Sequence, residues 1–284
     1  MEIKKYPKIA YEHGLIAHAH IFKPCTKLKR STGITLNTTV GEKEITVNMF
    51  EQLDISDEDL LLAIIALARP LHSVEDIYPP HEKIEEETIE GKLWIDLKIE
   101  NSSNVNFAKQ QTIAITTTQY KLLKYLELSL NTESYNRLIK SLDRLNMTRI
   151  KVKNGHEIYI THLLSYGQDK NKNLKIAINP LTAAMLLGID KISYVTNNLD
   201  ERYQLPKGIP RRLHAIFASC LNSKRKTQQI NIVTLAYKIW DKDKITKKKI
   251  WKLRTYCMKL NQLEKWEIFI QGQSLDANIY WKIT

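Results

Sequence analysis

The sequence predicts an α+β chain made of two winged-helix (winged helix-turn-helix) units in tandem. These are residues 1–170, with an irregular N-terminal arm, and residues 171–284. Three observations point there. An order of helix, tight turn, helix and two-stranded hairpin is readable twice. The first hairpin closes on Asn154-Gly155 between two alternating runs, the strongest short-range hairpin signal. The positive charge, +12 over 284 residues, is concentrated where the second copy lies.

Composition bounds the alternatives. At 43% hydrophobic and 26% charged, the chain is too apolar for disorder to be its main state and long enough for two modest cores. The longest apolar run, Leu60 to Ala68, falls far short of the roughly 20 residues that span a bilayer. MEIKKYPKIAYEHG lacks the apolar stretch of a signal peptide. Cys25, Cys220 and Cys257 are odd in number and widely separated, which argues against a disulfide framework and for a reducing cytoplasm. The expectation is a cytoplasmic protein with no membrane segment.

The charge is segmental. Residues 205–284 hold 17 Lys+Arg against 5 Asp+Glu, whereas residues 1–204 hold 26 of each. Within the neutral part, 54–104 is acidic (4 basic, 13 acidic) and 105–175 basic (12 against 5). Two basic blocks on similar patterns mark a polyanion partner, nucleic acid. The acidic block between them is expected to face away from DNA.

Element by element, the first 50 residues read as an irregular arm followed by a hairpin, 34–40 with 43–50, split by Gly41-Glu42. Ser56 is placed as N-cap of a helix to Leu67. Residues 81–91 read as a surface loop, KLWIDLKIE (92–100) as a half-buried strand, 101–111 as a polar linker and TIAIT (112–116) as a strand. Thr117 or Thr118 caps QYKLLKYLEL, Thr132 caps ESYNRLIKSLDRLNM, and 148–153 with 156–164 forms the first wing. Next come strand 174–178, a helix opened by Asn179-Pro180 and closed by Gly188, strand 192–196 and helix 208–221. Strand 229–232, helix VTLAYKIW, the turn DKDK and a helix capped by Thr246 follow, and KWEIFIQG pairs with NIYWKIT as the terminal wing.

In a helix-turn-helix the second helix enters the major groove, where base edges are distinguishable. In the second unit Ile250, Leu253, Cys257 and Leu260 share an inward face at about 100° per residue. Lys248, Trp251, Lys252, Thr255 and Lys259 lie opposite, flanked by Lys247 and Arg254. Cations suit phosphates and base acceptors, and an exposed indole can meet bases or sugar. The bland alternative is a solvated lysine face with Trp251 packed on the wing. In the first unit Leu138, Leu142 and Leu145 face inward; Glu133, Asn136, Arg137, Lys140, Asp143 and Arg144 point away, a mixed face that suits base reading or plain solvation. Lys151 and Lys153 in the first wing, and Lys224, Arg225 and Lys226 before the last strand set, are phosphate-contact candidates.

Enzyme signals are sparse. AHAH places His18 and His20 on one side of a strand with His13 nearby, the pairing of a metal-dependent nicking enzyme, but near the terminus and without a third ligand. There is no Walker A loop, and the cysteines lack metal spacing. His214 reads as a packed histidine rather than a base. The expectation is no catalytic residue, no metal site and no cofactor.

The segments YKLLKYLELSLNTESYNRLIKSLDRLNMTRIKVKNG, LKIAINPLTAAMLLG, GIPRRLHAIFASCL and ITKKKIWKLRTYCMKLNQLEKWEIFI resemble the replication protein C initiators of IncQ-type plasmids. Order and spacing agree from about residue 27 to the end, LKIAINPL and RRLHAIF being the most specific pieces, while the first 25 residues lie outside the likeness. The resemblance implies a non-enzymatic initiator that binds directly repeated origin sites (iterons) in double-stranded DNA. It implies opening of an adjacent A·T-rich segment, with the plasmid's helicase and primase as partners. Several copies, each a monomer on DNA, would occupy one origin. Carried over are Lys248, Trp251, Lys252 and Thr255, and Asn136, Arg137, Lys140 and Arg144. The KKK start of the second helix departs from more Arg-rich relatives; Lys lacks the planar fork of Arg, so the iteron sequence does not carry over. A winged-helix transcriptional repressor shares every residue-level feature.

Overall fold

A computed structural model describes residues 8–25, 30–68, 74–77, 88–97, 100–101, 112–186, 194–221, 227–241, 244–273 and 275–283. It corrects the N-terminal arm first. Ile9–His13 is a strand, β1, and Gly14–Ala19 a helix, α1. AHAH therefore closes a helix, Ala17 to Ala19 lying in α1 and His20 at its C-cap, and His18 and His20 do not share a strand face. β1 pairs antiparallel with β11 (Tyr194–Asn198). Its partner lies far downstream, beyond the reach of any local pattern, so the segment looked irregular.

The hairpin β2 (Thr32–Val40) and β3 (Lys43–Glu51) forms as expected. It continues through β7 (Arg149–Asn154) and β8 (Glu157–His162) to the short β5 (Glu100–Asn101), a five-stranded sheet in the order β2-β3-β7-β8-β5. A second sheet runs β4 (Val74–Ile77), β6 (Thr112–Thr117), β10 (Leu174–Ile178), β9 (Leu164–Gln168). A third, three-stranded sheet runs β12 (Gln228–Asn231), β14 (Asn278–Ile283), β13 (Trp266–Gln271).

The helix α2 (Ile55–Leu67) starts two residues earlier than Ser56 allows. Asp54 is its N-cap, and Asp54 and Asp57 exchange side-chain bonds in a capping box. DLLLAIIALA is apolar all round, and α2 is accordingly buried on nearly every side. KLWIDLKIE is mostly helix, α3 (Ile89–Leu97), and not a strand. Leu93, Trp94 and Leu97 recur at helical spacing and pack on Ala114 and Ala177 of the second sheet. A nine-residue apolar–polar mixture fits both periods, and burial decides between them. Residues 81–87 of the expected loop, nearly all of the linker 101–111, and Gly188 lie outside the described residues.

The remaining helices are α4 (Gln119–Tyr125), α5 (Thr132–Asn146), α6 (Pro180–Leu186), α7 (Leu199–Gln204), α8 (Ile209–Ser219), α9 (Ile232–Ile239) and α10 (Lys247–Met258). Thr118 caps α4, while Asn131, and not Thr132, caps α5 through a 2.8 Å bond from Ser134 N. α7 was not anticipated; Asn198 caps it.

Apolar side chains gather in two main cores. The first runs from Ala10 to Tyr203 and the second from Leu205 to Trp281. Segment 174–203, read from sequence as part of the second unit, packs with the first: β10 lies between β6 and β9, and Leu174, Ile176, Ile178 and Leu199 are buried there. No helix of the described residues is long and apolar enough to cross a membrane.

Candidate nucleic-acid interface

The strongest candidate surface is built by α9, α10 and the hairpin β13–β14. Asn231 caps α9, and Thr246 caps α10 by accepting from Lys249 N at 3.3 Å. Ile250, Leu253 and Cys257 are buried, and Leu260 follows in a 3-10 turn, Lys259–Gln262, so the inward face is as the spacing predicts. Burial pushes the Cys257 thiol up, and it packs as a small apolar side chain. The opposite face opens to solvent: Lys247, Lys248, Lys252, Thr255 and Lys259 are exposed, and Trp251 is 74% exposed. Trp251 therefore does not pack on the wing.

Electrostatics make this face unusual. α10 contains no acidic residue, and its first turn is Lys247-Lys248-Lys249. Cations at a helix N-terminus oppose the helix macrodipole, an arrangement that a bound anion relieves. No carboxylate among the described residues pairs with Lys247, Lys248 or Lys252. Arg254 turns aside: its guanidinium donates to the carbonyl oxygens of Gly272 and Gln273 (2.7 Å for the latter), tying the helix to the wing turn. Gly272 sits at φ +96°, and a Cβ there would meet Ala277 Cα at 3.1 Å. Arg254 thus anchors the wing and is not an open phosphate contact.

The first candidate surface is α4, α5 and the hairpin β7–β8. Leu138, Leu142 and Leu145 are buried as predicted, and Glu133, Asn136, Arg137 and Lys140 are exposed. Arg137 and Glu133 form an i,i+4 ion pair. Asp143 accepts from Tyr166 Oη at 2.5 Å and is only half-exposed. The hairpin is not a free wing but the middle of the five-stranded sheet. Lys151 is half-buried between Thr46 and Ile160, while Lys153, near the turn, is exposed and 3.2 Å from Glu44. Gly155 takes φ +60°, as the Asn-Gly turn requires.

Arg144 requires a correction. It does not point into solvent: its guanidinium lies 2.7 Å from Asp57 Oδ1 and 3.7 Å from Glu51. Ser141 donates to the same Asp57 oxygen at 2.5 Å, and Arg30 approaches Asp57 Oδ2 at 3.2 Å. A 15-residue helix with polar residues on several sides does not reveal which arginine meets a buried acid on a distant element. Lys224, Arg225 and Lys226 lie outside the described residues.

The acidic block also behaves differently from expectation. Its first acids are not a solvent-facing patch: Asp57, Glu58 and Asp59 are buried and paired with arginines. The sequence signal for this was available. Three acids in a helix otherwise made of LLLAIIALA must be buried with it, and buried acids need partners.

His13, His20 and His214 make packing and capping contacts. His13 accepts from Leu15 N at 3.2 Å and caps α1. His20 ends α1 in the left-handed conformation, 3.1 Å from Arg212 Nη2 and 2.8 Å from Lys238 Nζ. Burial, with those two cations, pushes its pKa down to about 2, surroundings hostile to a divalent cation. Among the described residues no group of three or more His, Cys, Asp or Glu is placed to hold a metal. His214 is buried against Trp266 and 3.3 Å from Glu201, a packed histidine as expected.

Comparison with known proteins bears on this architecture. A crystal structure of domains 2 and 3 of RctB is similar over 95% of this chain and 98% of that chain, at TM-score 0.55 and 12% identity. A second structure of RctB domains 2–3 matches at TM-score 0.52 and 13% identity, over 95% of this chain and 96% of that one. At these identities the likeness is one of fold. No curated protein matches. The family model for replication protein C (RepC) matches residues 19–268, beginning inside α1 and so reaching further toward the N-terminus than the resemblance from residue 27. The family match, over most of the chain, makes this protein a member of the replication protein C family.

Proposed function

We propose that the chain initiates plasmid replication by binding double-stranded origin DNA at directly repeated sites through two winged-helix modules, one on each main core. α10 and α5 are the recognition helices, and the hairpins and exposed lysines supply phosphate contacts. The observation that carries this reading is the open face of α10, where unpaired lysines surround a largely exposed tryptophan on a helix without acids. Such a face is poorly suited to an apolar partner and well suited to a groove lined by phosphates. Several copies, each a monomer on its iteron, would strain the adjacent A·T-rich duplex, and the opened segment would receive the plasmid's helicase, with primase following. The chain itself would need neither cofactor nor catalytic residue and would act in the cytoplasm.

The test is a gel-shift titration with the plasmid's origin fragment. Lys248→Ala/Lys252→Ala is expected to lose specific binding while keeping the wild-type melting temperature; unchanged affinity rejects the assignment. Permanganate footprinting of the A·T-rich segment then separates an initiator, which opens it, from a repressor, which binds without opening.

A further inference from the structure

Three consecutive acids on α2 reach three different helices. Asp57 takes Arg144 and Ser141 of α5. Glu58 takes Arg202 of α7 at 2.7 Å and Arg212 of α8. Asp59 takes Arg202 Nε at 2.6 Å and Arg211 of α8 at 2.7 Å. Each of the four carboxylate oxygens of Glu58 and Asp59 thus meets one guanidinium nitrogen, and Arg202 forks across both acids. Of the remaining nitrogens, Arg202 Nη1 bonds Arg211 O at 2.7 Å, Arg211 Nε bonds Leu205 O at 3.2 Å and Arg212 Nη2 meets His20 Nδ1 at 3.1 Å, while Arg212 Nε is buried without a hydrogen-bond partner among the described residues. All five side chains are buried.

These contacts cross the gap between the two main cores. α2 and α5 belong to the first core, whereas α8 belongs to the second and packs directly on α10. A continuous chain of packed and ion-paired helices therefore runs from α5 through α2 and α8 to α10, joining the two candidate recognition helices.

We propose that Glu58 and Asp59 are positioning residues for DNA specificity: by clamping Arg202, Arg211 and Arg212 they fix the relative orientation of α5 and α10, and so set the spacing of the two half-sites that one copy reads. The proposal rests on the DNA-binding reading above. Its physical basis is the asymmetry of buried ion pairs. Formed pairs add little net stability, but leaving one charge buried and unpaired is strongly unfavourable. A lattice in which all four carboxylate oxygens of two acids are matched by three arginines favours one alignment of α8 on α2, because sliding or rotating strands several charges at once. An apolar interface of the same area would tolerate neighbouring alignments. A duplex makes a strict demand of this kind, since one inserted base pair turns the second half-site by about 35° and moves it about 3.4 Å.

The experiment uses the full chain and a duplex selected by it from a random pool, with both half-sites mapped by footprinting. Base pairs are then inserted or removed between the half-sites. The wild-type chain is expected to lose at least ~10-fold in affinity per one-base-pair change, a penalty of the size of a mismatched base pair. Glu58→Gln/Asp59→Asn is expected to bind native and shifted duplexes within ~3-fold of one another, its affinity for an isolated half-site unchanged. A purely structural role would lower affinity for every duplex alike. If the double variant melts, Asp59→Asn alone, which keeps both partners of Glu58, is expected to flatten the spacing profile partly. A wild-type-steep profile in the folded variants, or a wild-type chain indifferent to spacing, overturns the proposal. Failure of the wild-type chain to select any duplex instead rejects the DNA-binding reading beneath it.

Discussion

α5 and α10 occupy equivalent places in two helix–helix–hairpin units, yet they meet solvent differently. α10 exposes lysines around Trp251 and has no acid of its own, whereas α5 exposes a mixed set in which Arg137 is already paired with Glu133. Each helix also turns one arginine away from its open face. Arg254 reaches the carbonyl oxygens of the wing turn, and Arg144 reaches the buried carboxylate of Asp57. On the proposed DNA-binding reading, the difference implies a division of work: α10 would supply charge and affinity, and α5 discrimination on a helix anchored into the core.

The largest expected effect is on α5's anchor. Arg144→Ala leaves Asp57 buried with only Arg30 as a cation and should cost about 3 kcal/mol of stability, read by denaturant melts. A variant as stable as wild type would show that the Asp57 pair does not anchor α5. On the α10 side, Lys248→Ala/Lys252→Ala should weaken DNA binding by about 2 to 3 kcal/mol at low salt and reduce the slope of log affinity against log salt by about 1.8. The salt titration separates lost phosphate contacts from a misfolded helix. Asn136→Ala on α5 should act on specificity instead. It is expected to relax preference at one base position by about 1 to 3 kcal/mol while leaving the salt slope unchanged, as binding-site selection would show. If its effect is uniform across sequences, the division between the helices fails. Smallest is Arg254→Ala, which frees two exposed carbonyl oxygens of the wing turn and should cost about 1 kcal/mol of stability.

Much of this was legible in the chain. Both inward stripes, Leu138/Leu142/Leu145 and Ile250/Leu253/Cys257, followed from period alone, and the turns at Gly41 and Gly155 followed from their turn residues. The errors share a cause. β1 needed a strand far along the chain, β10 needed β6 and β9, and KLWIDLKIE fitted two periods until its packing partners chose one. Arg144 and the acids of α2 were misplaced because a charged residue's partner leaves no trace in local spacing.

By itself, then, the sequence determined what depends on neighbours a few residues away: the caps at Thr118 and Thr246, the helical stripes, the Asn-Gly turn and the local excess of lysine on α10. Only the tertiary structure decided what depends on distant pairing: the joining of 174–203 to the first core, the packed N-terminal helix, and the burial of Asp57, Glu58 and Asp59 against five arginines. Periodicity is a property of one segment, whereas the cost of burying a charge is set by whichever segment folds over it.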